Sequence, residues 1–193
     1  MKKHITLFLA CLVFTGNIFA QQHLSFKGVP IDGTLKSYTD AMVKAGFHYE
    51  ITQDGTALLT GDFAGYKGCT VGVSTLKNLD VVSRIAVLFP EKETWSAVLG
   101  DYEHLKNMLT VKYGTPSDSQ EKFTGYIGDY DNYLVMDALK DGEYVWYTTF
   151  TTELGDIELS IMSGTKYNTA MVRLSYYDKA NSEKVRSAAM DDL

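Results

Sequence analysis

Residues 57–74 read ALLTGDFAGYKGCTVGVS, and two runs within this stretch alternate between apolar and polar side chains. One apolar row in each run occupies odd-numbered positions, which is the two-residue period of a strand with one buried face; the rows are Ala57, Leu59 and Phe63, then Cys69, Val71 and Val73. Gly65 and Gly68 lie between the runs, and glycine tolerates the positive φ angles of a tight hairpin turn. A phosphate-binding loop would open onto a helix N-terminus instead. The stretch therefore predicts an antiparallel hairpin in which Cys69 is a buried side chain and not a reactive thiol.

The same alternation extends this hairpin into a meander and recurs in the second half of the chain. In the run 81–89 the odd positions hold Val81, Ile85, Val87 and Phe89, and the run stops before Pro90, which cannot continue a strand ladder. We predict strands at 24–30, 57–63, 69–74, 81–89, 144–151, 157–163 and 171–177.

Two amphipathic helices precede the two meanders. The segment 34–46 begins at Thr34, whose side chain is suited to an N-cap, and its apolar residues recur three and four positions apart. The segment 94–113 begins at Thr94 and carries the strongest apolar stripe in the chain. Each pattern ends at a glycine, which is the common C-terminal stop of a helix.

The two meanders correspond at several positions, although the second half has more residues between its helix and its hairpin than the first. Val71 matches Leu159, and Val87 matches Leu174, at nearly equal offsets. We therefore predict an α+β fold built by tandem duplication of a helix plus an antiparallel β-meander, with the helices packed on one face of the sheet. The predicted units are a signal peptide at 1–20, a first repeat at 21–92, a second repeat at 93–178 and a polar C-terminal tail at 179–193, in which a short final helix and a frayed terminus both remain open.

The first twenty residues resemble an export signal. Lys2 and Lys3 precede an apolar run, and Ala20 provides a small residue at the end of the segment. This pattern predicts a cleaved signal peptide and a periplasmic or extracellular location. The alternative is a lipid anchor through Cys11. No later segment has the roughly 18 consecutive apolar residues that a transmembrane helix needs.

The net charge narrows the classes of partner, and the cysteine content excludes an intrachain disulfide in the exported form. The chain carries 24 acidic and 18 basic side chains, for a formal net charge of −6, and removal of the signal segment would make it more acidic. Such a chain lacks the basic excess that nucleic acids and anionic membranes attract. Cys69 is the single cysteine beyond residue 20, so the exported form has no intrachain disulfide.

Three short phrases and the repeat carry a resemblance to known proteins. The phrases are FKGVPIDGTL at 26–35, LTGDFAG at 59–65 and VKYGTP at 111–116. They resemble recurring pieces of small exported Bacteroidota proteins of unknown function, and the tandem architecture resembles the beta-lactamase-inhibitor-protein-like fold, also found in small lipoproteins of the outer-membrane assembly machinery. The resemblance implies a binding or interaction protein. This chain lacks the disulfides of the inhibitor proteins, so inhibition of a lactamase is not implied.

Residues suited to catalysis or metal binding are sparse. The three histidines beyond the signal segment, His23, His48 and His104, stand in no triad signature, so we predict no enzyme, no cofactor and no metal site. His48 and Glu50 share one face of an extended segment without a third ligand. The acidic segment 129–141 is interpreted as a solvated loop; a bound cation there, or a hydrolase using Asp129 and Asp131, is the weaker alternative.

Aromatic residues cluster in the second half of the chain and suggest the binding surface. Tyr and Trp bury a large area with few rotatable bonds and keep a polar tip, which favours them at interfaces. The predicted site, placed on the open face of the sheet, comprises Tyr126, Tyr130, Tyr133, Tyr144, Trp146, Met171, Arg173 and Tyr177. A core that is simply rich in tyrosine is the alternative explanation, and an ion pair with Glu158 is the structural role open to Arg173.

Two functional hypotheses follow. The first is an exported, non-enzymatic binding module that presents this aromatic face to a protein, peptide or envelope partner. The second is a small-ligand or lipid-binding periplasmic protein with a pocket between the helices and the sheet, lined by the stripe of residues 94–105.

Overall fold

The computed structural model describes residues 22–76, 79–125 and 131–190. The predicted signal segment at 1–20 and Cys11 lie outside these described residues. Within the described ranges no helix has both the length and the apolar character needed to cross a membrane.

The described chain consists of a small N-terminal hairpin, a large sheet and helices. The strands are β1 (Ser25–Phe26), β2 (Val29–Pro30), β3 (His48–Gln53), β4 (Thr56–Phe63), β5 (Tyr66–Leu76), β6 (Leu79–Leu88), β7 (Asp118–Phe123), β8 (Tyr144–Thr152), β9 (Gly155–Ser163) and β10 (Ala170–Asp178). The helices are α1 (Leu35–Lys44), α2 (Trp95–Tyr113), α3 (Asn132–Asp141) and α4 (Lys179–Met190).

Eight strands form one antiparallel sheet in the order β3-β4-β5-β6-β10-β9-β8-β7, and β1 pairs with β2 separately. The apolar residues of α1, α2 and α3 share one hydrophobic core with the inward rows of the sheet. Helices therefore cover one face, because each amphipathic element buries its apolar side against the other. The predicted α+β class is confirmed.

The two halves of the sheet meet at β6 and β10. Val87 lies opposite Leu174 at this junction, with Val71 next to Val87 and Leu159 next to Leu174. These are the residues that the repeat equates, and a two-fold relation between the halves requires such pairing at the centre. The tandem duplication itself stays a prediction.

The local signals for helix ends agree with the structure. The Thr34 side chain accepts a hydrogen bond from the backbone N–H of Ser37, and α1 begins at the next residue. Thr94 caps α2 in the same way, and Gly114 ends that helix with a φ of 87°. Both predicted N-caps are confirmed, because an N-cap depends on residues only three positions apart.

Parts of the chain interpreted as irregular are ordered elements. Most of the acidic segment 129–141 is helix α3 and not a solvated loop: Asp131 accepts hydrogen bonds from the backbone N–H groups of Tyr133 and Leu134, and Gly142 ends the helix in the left-handed conformation. The edge strands β3 and β7 were not predicted, because most of their residues are polar and exposed.

The two ends of the described chain also differ from the prediction. Residues 24–30 do not form an edge strand of the large sheet but fold into the β1–β2 hairpin, with Lys27 and Gly28 at positive φ in its turn. Of the two alternatives left open for the polar tail, the structure has the helix, but α4 is twelve residues long and packs against β6. Asn181 of this helix is fully buried.

Candidate functional site

The face of the sheet opposite α1, α2 and α3 is called the open face. Its side chains alternate along each strand with those of the core, and most of them stay partly exposed. The open face comprises Thr56, Leu58, Thr60, Thr70, Gly72, Ser74, Arg84, Ala86, Leu88, Tyr147, Thr149, Thr151, Asp156, Glu158, Ser160, Met162, Met171, Arg173, Ser175 and Tyr177.

Three residues of the predicted site lie together on this face. Met171, Arg173 and Tyr177 alternate along β10 with the buried Val172, Leu174 and Tyr176. The strand period therefore places all three where the sequence pattern indicated. Met171 is buried, whereas Arg173 and Tyr177 are partly exposed.

Tyr144 and Trp146 lie on the opposite, helix-covered face, so their predicted placement on the open face is wrong. The Trp146 ring packs edge-on against Trp95 of α2 at 4.8 Å and against Phe123 at 5.4 Å. Burial raises the pKa of Tyr144. The physical reason is that β8 carries aromatic residues in both phases, and contact with α2 decides which phase is inward.

The remaining predicted residues do not join the open face. Tyr133 lies on α3 and is 62% exposed. Tyr126 and Tyr130 lie outside the described residues. Tyr147, which was left out of the predicted set, does lie on the open face, and its hydroxyl donates to Asp118 at 2.8 Å.

Two arginines occupy the middle of the open face. Arg173 Nη2 donates to Glu158 Oε1 at 3.0 Å, which confirms the expected ion pair between neighbouring strands. The Arg84 guanidinium lies over the Tyr177 ring at 5.1 Å. Within the described part of the chain, Arg84 has no carboxylate within ion-pair distance, so its charge is available to a partner.

Several polar atoms in this region are buried without a partner among the described residues. They are Arg84 Nε, Arg173 Nε, Ser160 Oγ and Ser175 Oγ, and Ser175 is fully buried although it lies on the open face. Buried polar groups are normally hydrogen-bonded to protein or to water. The centre of the open face thus retains hydrogen-bonding capacity that the described chain does not use.

One corner of the open face is apolar. Ile51 of β3 is 51% exposed and lies opposite Leu58, which is 37% exposed. The row continues through Gly72, which has no side chain, and Ala86, whose side chain is a methyl group, so the surface beside Leu58 is shallow. Apolar contact area therefore adjoins the arginines and tyrosines of the centre.

A groove of about 340 Å³ lies where α4 meets the open face. Its walls include Asp156 and Tyr177 from the sheet and Lys179 and Arg186 from the helix. Both signs of charge line this groove, so it forms a polar end to the surface.

Glu91 holds the loop between β9 and β10, which lies at another end of the open face. Its carboxylate accepts hydrogen bonds from the Thr165 backbone N–H at 2.8 Å, from the Thr165 hydroxyl, and from the Thr169 hydroxyl at 2.8 Å. The hydrogen bond from the Thr165 side chain is the main cause that lowers the pKa of Glu91 to about 2. The carboxylate is thus favoured over the protonated acid in the folded state.

This arrangement predicts an acid-sensitive contribution to stability. Since the pKa of Glu91 is lower in the folded than in the unfolded chain, its contribution is present above the usual glutamate pKa, near 4.5, and is lost as pH falls toward 2. In urea unfolding at several pH values, the free energy of unfolding should fall less for Glu91→Gln than for the wild type as the pH drops from about 4.5 to about 2. Glu153→Gln, in an exposed turn, serves as control; a Glu91→Gln curve parallel to the wild type would contradict the prediction.

The residues considered for catalysis have structural surroundings. Cys69 is fully buried, and burial raises the pKa of its thiol. His23 Nδ1 lies 3.0 Å from a carboxylate oxygen of Asp178, and Glu50 accepts a hydrogen bond from Thr60. Asp129 lies outside the described residues. Within the described residues no group of three or more histidine, cysteine, aspartate or glutamate side chains could hold a metal ion.

A polar network under α2 was missed at the level of sequence. Glu121 of β7 accepts hydrogen bonds from Tyr102, Lys106 and Thr148, and Ser119 joins the same network. Burial acts to raise the pKa of Glu121, but these hydrogen bonds outweigh it and lower the pKa. The network attaches the edge strand β7 to the helix layer, and no local sequence signal indicates it because its members lie on three elements.

No family model, curated protein or solved structure matches this chain. The resemblance to the beta-lactamase-inhibitor-protein-like fold therefore stays a prediction.

Proposed function

We propose that this chain is a non-enzymatic binding protein that docks a protein partner on its open face. The observation that carries the proposal is the composition of that face: a centre of Arg84, Arg173, Tyr147 and Tyr177 beside an apolar corner. Tyrosine and arginine are enriched among residues that dominate binding energy, and interfaces combine such a centre with apolar area and a polar rim.

Two further features support the proposal. Arg84 lacks a carboxylate partner among the described residues, and a carboxylate of the partner would pair with its guanidinium. The export signal expected at residues 1–20 would place such a partner in the cell envelope or outside the cell.

The alternative of a small-ligand or lipid pocket under α2 has less support. Trp95, Val98, Tyr102 and Leu105 of the stripe are buried in the hydrophobic core together with the inward rows of the sheet. A side chain that fills the core does not line an open cavity. We therefore rank the open face first.

The test is capture of a partner by the tagged mature protein from an envelope extract of its own host, quantified by mass spectrometry. The double variant Tyr147→Ala, Tyr177→Ala should reduce capture of a specific protein at least tenfold, because truncating a hot-spot residue costs about 2 kcal/mol. Tyr133→Ala, which removes an exposed tyrosine from α3, is the matched control. Unchanged capture by the double variant, or a loss only with Tyr133→Ala, would refute the assignment.

A further inference from the structure

The two edges of the large sheet differ in how they are protected. The edge strand β7 carries Asp118, Glu121 and Lys122, and the first two are bound by Tyr147 and by Lys106. Charged side chains on an edge discourage the addition of another strand. The other edge strand, β3, is exposed along its whole length and holds Glu50 as its only acidic or basic residue other than His48.

The turn after β3 determines which backbone groups face outward. Asp54 and Gly55 both have positive φ, at 48° and 74°, as in a two-residue type I′ turn. Gln53 and Thr56, which flank the turn, form the hydrogen-bonded pair that closes it, so Thr52 and Ala57 form the next, non-hydrogen-bonded pair. The N–H and C=O of Thr52 therefore point away from β4 and are free to pair with an added strand.

A groove of about 550 Å³ runs beside this edge, between β3 and α1. Its walls include Leu35 and Val43 of α1 and Tyr49 of β3, and Val43 and Tyr49 are 46% and 50% exposed. Side chains of a strand alternate between the two faces of a sheet. An added strand would thus present every second side chain to this groove.

The surroundings of the groove are acidic. Lys36, Asp40 and Asp80 lie on its wall, and Glu50 lies on β3, where it accepts a hydrogen bond from Thr60 on the open-face side. Lys36 pairs with Asp40 at 2.6 Å, whereas Asp80 and Glu50 have no cationic partner among the described residues. This charge favours a basic strand, and it disfavours a second copy of β3, which would bring another Glu50 from a chain of net charge −6.

We propose that β3 and this groove bind an extended basic peptide of a partner protein as an additional strand of the sheet. Backbone hydrogen bonds at Thr52 supply the pairing, an apolar side chain enters the groove beside Val43 and Tyr49, and lysine or arginine side chains on the opposite face of the added strand lie on the side of Glu50. Such strand addition takes its affinity from the main chain and its selectivity from the side-chain pockets. This site is separate from the open face.

The probe is a set of five fluorescent nine-residue peptides with Lys at odd positions and Val, Ile, Leu, Phe or Tyr at even positions. At least one should bind the mature protein saturably, and NMR shifts should fall on β3 and α1. Val43→Lys and Thr52→Pro should each weaken binding at least tenfold, since the first obstructs the groove and the second removes the outward N–H. Val111→Lys is the control for Val43→Lys: it makes the same substitution at a position of α2 that is 90% exposed, and it should leave binding unchanged.

Specific outcomes would overturn the proposal. One is that none of the five peptides binds. Another comes from peptides in which every second amide is N-methylated, so that one edge of the peptide cannot donate hydrogen bonds: equal binding by the methylated and unmethylated forms, whichever edge is blocked, would show that strand pairing is not involved. NMR shifts confined to the open face would refute the β3 site and would leave the proposed function of the open face standing. A dimer in sedimentation that Thr52→Pro dissociates would assign β3 to a second copy instead.

Discussion

Gly155→Ala is expected to destabilise the protein by at least 4 kcal/mol or to prevent folding. Gly155 begins β9 with a φ of 144°, and an added Cβ would lie 2.0 Å from the Tyr177 carbonyl oxygen and 2.9 Å from the Lys179 nitrogen. Both atoms belong to the backbone where β10 passes into α4, so neither can rotate away as a flexible side chain would. Urea unfolding followed by circular dichroism measures the effect.

Gly68→Ala is the matched control for this prediction. Gly68 also has a positive φ, 67°, near the start of a strand (β5), but no atom lies within 4 Å of its would-be Cβ. Its substitution should therefore cost only the backbone strain of a positive φ, about 1–2 kcal/mol. Equal losses for the two variants would show that the contact with the Tyr177 backbone is not what constrains Gly155.

Asn181→Asp is the second substitution with a large expected effect. The Asn181 Nδ2 atom lies within 3.0 Å of the carbonyl oxygens of Ile31 and Val82 and 2.9 Å from Asp32 Oδ1. Aspartate has nearly the same shape but would place an oxygen against these three acceptors. The residue is fully buried, so we expect a loss of about 3–4 kcal/mol in the free energy of unfolding.

The melting temperature provides a simple readout of this loss. For a domain of this size it should fall on the order of 10 °C. Asn107→Asp makes the same change in charge on an exposed position of α2 and should alter the unfolding free energy by less than about 0.5 kcal/mol. Because the introduced carboxyl regains a donor when protonated, the deficit should shrink in acid. A pH-independent deficit would argue against loss of the Asn181 hydrogen bonds as its cause.

The candidate surface could be predicted from sequence only in part. Arg173 and Tyr177 follow the outward phase of β10, and the inward residues between and beside them, Val172, Leu174 and Tyr176, form an apolar row, so alternation alone placed them correctly. Trp146 could not be placed in this way. Aromatic side chains occupy both phases of β8, and the contact with Trp95, more than forty positions away in sequence, decides its direction.

The amino-acid sequence by itself determined the α+β class, the six central strands of the sheet and the ends of α1 and α2. Those features depend on the two-residue period of strands, on N-cap side chains that bond to a backbone N–H three positions later, and on glycines at helix ends. All of these signals are local in the sequence. Tertiary structure alone decided that β3 and β7 are strands, that Asn181 is buried, and that an added Cβ clashes with backbone atoms at Gly155 but not at Gly68. Each of these outcomes depends on atoms from residues distant in the sequence, and contacts of that kind leave no periodic trace in the chain.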